Sequence, residues 1–547
     1  MKRTKAFLYR PVLLCSLVLF CVACFNDEPS TYYGKVTPPS AQEFRWSDGG
    51  LPQTFDPAFA AAPPDTDAVR ALFEGLTDYD PQTLAAVPGV ATRWESSHDG
   101  RVWTFYLRDN ARWSNGEKVT AADFVRSWQR TLKIGPLAPH TELLTNIEGA
   151  TATAPPAAQT PSPQPAPHFG AQAVGEHVLQ VTLQQADSAF PALVAHPVFR
   201  PVKLPDAERT KPLESHELIS NGAFQLSGTE KDRVRLERAS TYWDGDSVSL
   251  QRVTFVNASN PEDALSAYRA GEVDAVTNAA FEPLALKLLA PYKDFRRSTF
   301  GALTYYVFNV DREPFDDVRV REALALAIDR ERVSRDNLGG STEPAGRFLP
   351  DAMAGEKPVV GKTERLDYDI NKARKLLAEA GYPNGEGFPV VRLLINRNEQ
   401  QRLVAQSIAA MWRAALNVQT EIVIRSWEEY EAAIKSGDYD VVRRGLVMQT
   451  TSELTNMAML FGHDAHETPV QSATPEGLAH SATPEVARPA LVESEAQALK
   501  ELKAMPIYFA SSYSLVKPYV SGFDLNVLDV PSLKRTRLNT NWSEQGR

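Results

Sequence analysis

The amino-acid sequence predicts a mixed α/β protein that is divided into two or three lobes. Segments with the helical period of 3.6 residues alternate along the chain with segments that have the two-residue period of strands. The chain has 547 residues, which exceeds what one hydrophobic core usually holds, and its apolar fraction of 43% is ordinary for a globular protein. We therefore expect more than one packed core.

The first residues predict export. Four basic residues precede an apolar run over residues 11–23 that is too short to cross a bilayer as a helix, so residues 1–23 have the form of a signal peptide. The run ends at Cys24 in a segment that resembles the bacterial lipobox, in which the cysteine receives diacylglycerol. We expect Cys24 to be the lipid anchor and residues 24–42 to be the anchor with its tether. Because Cys21 stands where the lipobox usually has leucine, cleavage by an ordinary signal peptidase, or retention of the segment as an anchor, stays an alternative.

Cysteine usage and charge narrow the function. All three cysteines, Cys15, Cys21 and Cys24, lie in this first segment, so the mature chain has no thiol for a disulfide, a zinc site or a nucleophile. Without residues 1–23 the chain keeps 54 basic and 68 acidic side chains, a balance of −14. This acidic balance argues against nucleic acid as a partner.

A hairpin and a capped helix are predicted in the first quarter of the chain. Residues 102–107 alternate between two faces and lie between the turn sequences His98-Asp99-Gly100 and Asn115-Gly116. Thr120 is the expected N-cap of the next helix, with Asp123 three residues further on, near the positive end of the helix.

The second half of the chain shows the same alternation. We predict helices at about 316–328 and 370–380 and strands at 418–424 and 439–445. The first helix would start at Asp316 or Asp317, and Gly381 follows the end of the second.

Two stretches are predicted to be loops. Residues 150–168 have too few large apolar side chains to offset the entropy of ordering them. Residues 465–489 contain the sequence Ser-Ala-Thr-Pro-Glu twice, and prolines at this spacing interrupt both helices and sheets.

The sequence lacks the common catalytic motifs. It has no Gly-x-Ser-x-Gly elbow, no Walker loop and no His-Glu-x-x-His motif. The sharpest metal candidate is His463-Asp464-Ala465-His466, which we expect to be a solvated polar turn at the edge of a loop rather than a metal site. His196 precedes Pro197 and is expected to be a structural histidine. We therefore predict no enzyme, no catalytic residue, no metal and no cofactor.

Short motifs in a fixed order carry a resemblance to a known family. They are Phe55-Asp56-Pro57, Leu72 to Leu76, Trp103 to Arg108, Trp113 to Gly116, Val119 to Val125, Ser220-Asn221-Gly222, Tyr242-Trp243, Tyr268 to Asp274, Phe308-Asn309, Pro314 to Arg321, Ala327 to Arg330, Ala373 to Tyr382, Tyr439-Asp440 and Leu515 to Pro518. Each motif alone occurs by chance. Their number and order resemble the large solute-binding proteins of peptide ABC importers, bacterial solute-binding protein family 5, and most of all its periplasmic oligopeptide-binding proteins.

The resemblance implies an architecture and a set of partners. The fold would be the two-lobed periplasmic-binding-protein fold of type II, or cluster C, with discontinuous lobes and an additional third domain packed on the first lobe. The implied boundaries are 25–73, 198–302 and 508–547 for lobe I, 74–197 for the extra domain with its loop at 150–168, and 303–507 for lobe II with its loop at 465–489. A monomer would deliver a peptide ligand to the membrane permease subunits of an ABC importer, in which partner subunits hydrolyse ATP.

The resemblance also implies a set of ligand-binding residues. In such proteins an extended peptide lies between the lobes and pairs through its main chain with protein strands. The positions that match are Trp427, Asn396, Arg443, Gly445, Leu446, Val447, Gln449, Tyr305, Tyr306 and Asn278.

Other interpretations of these residues stay open. Arg443 could form a structural ion pair or meet a ligand carboxylate. Trp427 and Tyr305 could be core aromatics, and Asn396 and Asn278 could be turn residues or satisfied structural amides.

Two positions depart from the family pattern. Peptide binders of this kind place an acidic residue near the end of the cleft strand to pair with the amino terminus of the ligand, whereas this chain has Gln449. Where the family offers backbone donors from the first lobe, this chain has Ala-Ala-Pro-Pro at 61–64, and prolines have no N–H to donate.

The sequence therefore favours an exported binding protein for oligopeptides or related peptides, such as cell-wall peptides. The first alternative is a degenerate relative that acts as a sensor or interaction protein without a transported peptide. A remote alternative is a metallohydrolase that uses the group around His463.

Overall fold

The computed structural model describes residues 31–150, 168–204, 209–353, 365–461 and 494–544. Several sequence predictions lie outside these ranges, wholly or almost wholly: the signal peptide 1–23, Cys24, the loops 150–168 and 465–489, and the group His463 to His466. No helix within the described ranges is long and apolar enough to span a membrane.

The strands are β1 (Glu43–Asp48), β2 (Thr77–Tyr79), β3 (Ala86–Pro88), β4 (Ala91–Ser96), β5 (Val102–Leu107), β6 (Ala171–Gly175), β7 (Val178–Thr182), β8 (Phe224–Thr229), β9 (Arg233–Arg238), β10 (Arg252–Val256), β11 (Ala275–Thr277), β12 (Phe295–Phe308), β13 (Thr342–Pro344), β14 (Val391–Asn396), β15 (Thr420–Arg425), β16 (Val441–Val447), β17 (Ala504–Val516), β18 (Val520–Ser521) and β19 (Arg537–Leu538).

The helices are α1 (Asp65–Leu72), α2 (Ala121–Ile134), α3 (Phe190–Leu193), α4 (Pro261–Ala270), α5 (Pro283–Leu289), α6 (Val318–Leu326), α7 (Arg330–Arg332), α8 (Ile370–Glu379), α9 (Glu399–Leu416), α10 (Trp427–Lys435), α11 (Glu453–Phe461) and α12 (Glu495–Glu501).

One large sheet connects the two lobes. Its strand order is β15-β14-β16-β12-β17-β11-β1-β10-β9-β8, and β13 pairs at the side with β17. Strands β12 and β17 have 14 and 13 residues and lie antiparallel to each other in the middle of the sheet. On one side of them lie β14, β15 and β16, and on the other lie β1 and β8 to β11. The two long strands therefore cross from one lobe to the other.

A smaller sheet forms the additional domain. It is antiparallel, in the order β4-β5-β7-β6. The predicted strand at 102–107 is confirmed as β5, which pairs with β4 across a turn in which Gly100 has a φ of 69°. The predicted capped helix is confirmed as α2: Thr120 forms a capping box with Asp123, and its backbone N–H donates to Asp123 Oδ2 at 2.8 Å.

The elements predicted in the second half are present with shifted ends. Asp317 is the N-cap of α6 and accepts the backbone N–H of Arg319 at 2.8 Å. The predicted second helix is α8, and the two predicted strands are β15 and β16, each starting two residues later than the sequence pattern suggests. Periodicity located these elements, whereas strand ends are set by pairing partners that lie far away in the sequence.

Two large hydrophobic cores support the lobes. The first core contains residues from both the β1 side of the large sheet and the small sheet, with Trp46, Trp113 and Trp128 fully buried. The second core surrounds β14, β16 and α9 and includes the fully buried Trp412. The additional domain thus packs on the first lobe. The residue boundaries of the three domains stay a prediction.

A buried ion pair joins three parts of the first core. Asp56 and Arg130 are 0% and 3% exposed, and they form two parallel hydrogen bonds of 2.9 and 2.6 Å. Asp56 also accepts the backbone N–H of Leu213, and Arg130 donates to the carbonyl of Lys211. The pair therefore connects the segment before α1, helix α2 and the chain near residue 211.

Three other buried carboxyl groups form no ion pair with the described residues. Asp48, Asp67 and Asp529 are at most 6% exposed, and within the described ranges no basic nitrogen lies within 4 Å of any of them. Asp529 accepts the hydroxyl of Ser512 at 2.9 Å. Burial, followed by the charge of Asp48, raises the pKa of Asp529 to about 7.

This raised pKa predicts that stability decreases as the pH rises from about 4 to about 7, because over that range only the folded chain keeps the proton on Asp529. Between pH 5 and pH 8 the loss from this group should be about 2–3 kcal/mol. Asp529→Asn should remove that loss, as measured by urea unfolding at both pH values. The exposed Asp246→Asn is the control, and an unchanged pH dependence in Asp529→Asn would contradict the prediction.

Candidate functional site

The crossing between the lobes is marked by an irregularity in β12. Its register with β17 shifts between Thr299 and Leu303. Gly301 lies at this shift, where its N–H donates to the carbonyl of Val527 at 2.7 Å and its carbonyl accepts the N–H of Met448 at 2.8 Å. A Cβ atom at Gly301 would lie 3.0 Å from the Val527 oxygen, so a side chain here would have to displace backbone. From this point onward, residues 302–308 of β12 and 441–447 of β16 pair with each other and form what we call the wall of the second lobe.

Six of the predicted ligand-binding residues meet along this wall. In the antiparallel pairing of β12 with β16, Tyr306 lies opposite Arg443, Tyr305 opposite Arg444, Thr304 opposite Gly445, Leu303 opposite Leu446 and Ala302 opposite Val447. Tyr305 and Tyr306 are buried in the second core, and burial raises the pKa of both hydroxyl groups. Their rings therefore support the wall as core aromatics, while Leu446 and Val447 are half-buried at the end of the strand.

Arg443 is a buried cation that has no anionic partner among the described residues. The residue is 7% exposed, and its Nη2 lies 3.5 Å from the hydroxyl of Thr304. Its Nε has no hydrogen-bond partner, and no carboxylate of the described chain lies within 4 Å. The structural ion pair that the sequence left open is thus not formed by these residues. An unpaired buried guanidinium is costly unless an anion approaches it.

Asn396 and Trp427 lie at the same end of the second-lobe sheet. Asn396 is the last residue of β14, and its buried Oδ1 has no hydrogen-bond partner among the described residues. Trp427 is half-buried at the first position of α10, with its ring 5.5 Å from that of Tyr430. The Tyr430 hydroxyl donates to the backbone carbonyl of Arg443. Tyr430 therefore links the predicted residues, although the sequence did not single it out.

Asn278 lies apart from the other predicted residues. It follows β11 in the first lobe, has a left-handed φ of 52°, and donates from its amide to Asp48 Oδ1 at 2.6 Å. This arrangement is that of a turn residue with a satisfied amide, one of the two interpretations that the sequence allowed.

Gln449, which follows β16, contacts His196, a residue of the predicted additional domain. The Nδ1 atom of His196 accepts the backbone N–H of Val198 at 3.2 Å, so the imidazole proton resides on Nε2, which lies 3.3 Å from Gln449 Oε1. His196 is 4% exposed, and burial, followed by the charge of His140, lowers its pKa well below the usual value. The expectation of a structural histidine is confirmed, and its partner is the residue that replaces the family's acid.

A second histidine extends this contact to the other unusual segment. The ring of His140 lies 4.9 Å from that of His196, and its Nε2 donates to the carbonyl of Ala61 at 2.7 Å. Burial alone would lower the pKa of His140, but the hydrogen bond and charge of Glu142 raise it overall. The Ala-Ala-Pro-Pro segment and Gln449 are therefore joined by two histidines, of which the sequence had singled out only His196.

A further contact between the second lobe and the predicted additional domain lies three residues after Gln449 in the sequence. The hydroxyl of Ser452 donates to Asp187 Oδ2 at 2.9 Å, and the other carboxylate oxygen of Asp187 accepts the N–H of Ala189 at the start of α3. A small, partly open cavity next to α1 has a volume of only about 30 Å³, which leaves room for water but not for a peptide.

Two lobes joined by crossing strands, with unpaired polar groups on the wall between them, define a binding protein of the two-lobed periplasmic class. The sequence pattern of the bacterial extracellular solute-binding proteins, family 5, matches residues 85–467. The chain belongs to this family. In the described residues, no group of three or more His, Cys, Asp or Glu side chains is arranged to hold a metal ion.

Individual relatives extend the similarity over nearly the whole chain. The periplasmic murein peptide-binding protein MppA of Escherichia coli K12 is 33% identical over 89% of this chain and 91% of its own. The periplasmic oligopeptide-binding protein OppA of the same organism is 30% identical over 95% of this chain and 96% of its own. The solved structure of the unliganded open form of MppA superposes with a TM-score of 0.73 at 28% identity, covering 92% of this chain and 98% of the other.

Proposed function

We propose that this protein captures oligopeptides, or related peptides such as those of the cell wall, between its lobes and delivers them to an ABC importer. The observation that carries the proposal is the similarity to two peptide-binding proteins over about nine-tenths of each chain. The protein binds without turnover, and the permease subunits of the importer receive the ligand.

The wall of the second lobe supports a ligand with a carboxylate. Within the described part of the chain, the buried guanidinium of Arg443 has no anion beside it and the buried Oδ1 of Asn396 has no donor. A peptide supplies both groups, since each residue of its main chain has an N–H and its end or side chains have carboxylates. Gly445, two residues after Arg443 on β16, has no side chain to block close approach of a peptide backbone.

The region around Gln449 favours a part of the ligand that carries no positive charge. Its neighbours are a neutral imidazole at His196 and the Asp187 carboxylate, which is occupied by Ser452 and Ala189. Neither the amide nor the imidazole neutralises a ligand ammonium group. Hydrogen-bonding groups without positive charge fit this part of the wall best.

We also propose that the protein is located in the cell envelope. Residues 1–23 act as a signal peptide, Cys24 carries the lipid, and the mature protein is a periplasmic, membrane-anchored monomer. The form of the N-terminal sequence and the periplasmic location of the relatives support this placement.

A thermal-shift screen of the mature chain against di- to octapeptides and divalent metals tests the proposal. A peptide at 100 times its Kd should stabilise the fold by about 2.7 kcal/mol. If no peptide raises the melting temperature of the folded protein, import of peptides would be contradicted and a sensor or interaction protein favoured. Stabilisation by metals alone would favour the metallohydrolase hypothesis.

Gln449→Asp is expected to shift the preference of the protein toward peptides with a free amino terminus. An ionised carboxylate at this position would pair with the ligand ammonium group, which the wild-type amide cannot do. Affinity for free peptides relative to their N-acetylated forms should rise about tenfold or more, measured by calorimetry, since pairs that involve a charged partner contribute about 1.5–3 kcal/mol. Gln449→Glu controls for the position of the charge. An unchanged ratio in both variants would place the ligand amino terminus elsewhere.

A further inference from the structure

Helix α5 carries an exposed apolar face. Leu284 and Leu288 are 68% and 65% exposed, and their spacing of four residues puts them on the same side of the helix. Of the described elements, α5 alone has two of the strongly exposed large apolar side chains, and the others, such as Leu137 and Val390, occur singly. An exposed leucine by itself needs no explanation, whereas a paired apolar face indicates a partner.

The chain from the expected lipid anchor joins the first lobe next to this helix. The carbonyl of Thr31 accepts the N–H of Lys293, which lies four residues after the end of α5. The N–H of Tyr33 donates to Asp294 Oδ1 at 2.9 Å, and the Tyr33 ring lies 5.3 Å from that of Tyr292. Residues 31–33 of the predicted tether are thus fixed to the protein beside α5.

The length of chain before Thr31 limits how far this surface can be from the membrane. Thr31 is seven positions after Cys24, and a fully extended chain of this length spans at most about 25 Å. The attachment point also lies at the start of β12, at the end of that strand that is farthest from its pairing with β16. The base of the first lobe is therefore the part of the molecule held close to the lipid.

We propose that α5 lies on the membrane surface and inserts Leu284 and Leu288 at the boundary of headgroups and acyl chains. The proposal rests on the lipid anchor at Cys24. Lys287 lies between the two leucines in the sequence and Lys293 follows the helix; both are exposed, and neither has an ionic partner in the described part of the chain. Such lysines extend toward lipid phosphates while leucines enter the apolar layer.

The charges nearby fit an anionic lipid surface. Lys35 and Arg269 are exposed and lie next to each other, since the N–H of Lys35 donates to the carbonyl of Arg269 at 2.9 Å close to the same attachment point. Glu282 at the N-terminal end of α5 is the exposed acid of the helix and lies on the side away from Lys293. The basic side chains of Lys287 and Lys293 therefore lie toward the end of the helix nearest to the anchor, and the apolar face extends along the helix from Leu284 to Leu288.

Single thiols provide the test, because the chain has no cysteine after Cys24, whose sulfur carries the lipid. Leu284→Cys and Leu288→Cys are labelled with a polarity-sensitive dye in the lipidated protein, reconstituted into vesicles of phosphatidylethanolamine and phosphatidylglycerol. The emission of both should shift to the blue, and nitroxides on the lipids should quench both several-fold more strongly than the control Leu137→Cys, which is 74% exposed. Emission and quenching equal to those of the control would overturn the proposal.

Two further measurements distinguish failure of the lipid anchor from failure of the α5 contact with the membrane. Incorporation of labelled palmitate and recovery in the membrane fraction report the anchor by themselves, so a lipidated protein with a water-exposed label at position 288 defeats only the α5 contact. Leu284→Ser with Leu288→Ser should leave peptide binding unchanged and reduce quenching at a label on Lys287→Cys. A blue shift that needs the permease would identify a protein partner in place of lipid and would also overturn the proposal.

Discussion

Arg443→Met is expected to abolish most peptide affinity while leaving the empty protein at least as stable as the wild type. The guanidinium is buried, and no anion of the described residues pairs with it, so it should gain most of its interaction when a ligand carboxylate arrives. Loss of one partner of such a pair costs about 2–5 kcal/mol. Removal of an unpaired buried charge should not destabilise the ligand-free fold. Calorimetry with peptides found in the thermal-shift screen measures the first effect, and thermal unfolding without ligand measures the second.

Peptide amides separate a contact with the terminal carboxylate from a general loss of binding. The wild type should bind amidated peptides more weakly than free ones, and Arg443→Met should bind both forms with similar affinity. Arg397→Met is the matched control, because Arg397 follows Asn396 at the end of β14 and is exposed. Equal discrimination by the wild type and Arg443→Met would show that the carboxylate is bound elsewhere.

Asp56→Asn is expected to lower the free energy of unfolding by about 3–5 kcal/mol, because Arg130 would remain charged and 3% exposed without its carboxylate. The substitution removes the charge and preserves the size of the side chain, so packing around Phe55 and Pro57 should change little. Urea unfolding followed by tryptophan fluorescence measures the loss, since Trp46, Trp113 and Trp128 all lie in the first core.

An exposed ion pair supplies the comparison. Arg93 and Glu95 are both more than half exposed, and Glu95→Gln should change the free energy of unfolding by no more than about 1 kcal/mol. The double substitution of Asp56 and Arg130 by Asn and Met should recover part of the stability that Asp56→Asn loses. Equal effects of Asp56→Asn and Glu95→Gln would show that the buried pair does not hold the three segments together.

Local patterns in the sequence located individual elements well. The turn at Gly100 and the alternation up to Leu107 are properties of neighbouring residues, as is the capping box of Thr120 and Asp123, and the structure contains each of them. The order of the large sheet could not be derived in this way. Its central pairing joins β12 to β17 across about 200 residues of sequence, and only the resemblance to a known family predicted two lobes built from discontinuous segments.

The candidate site, like the fold, could be predicted from the sequence only in part. The resemblance placed Arg443 and Asn396 on the second-lobe wall, but the absence of their partners is a property of packing that no sequence pattern reveals. His140 was missed because it stands alone in the sequence and acts through Ala61 and His196, which are 79 and 56 positions away. An isolated histidine carries no period and no motif, so only the folded chain shows its role.

The position of β17 in the large sheet has a consequence for the order in which the protein folds. This strand is among the last elements of the chain, yet it lies between β12 and β11 and completes the middle of the first lobe. The strands β12, β14, β15 and β16 are able to pair with one another before β17 has been made. Because β17 also pairs with the second half of β12 and contributes Ala504, Met505 and Phe509 to the second core, neither lobe is complete until this segment near the end of the chain joins the sheet.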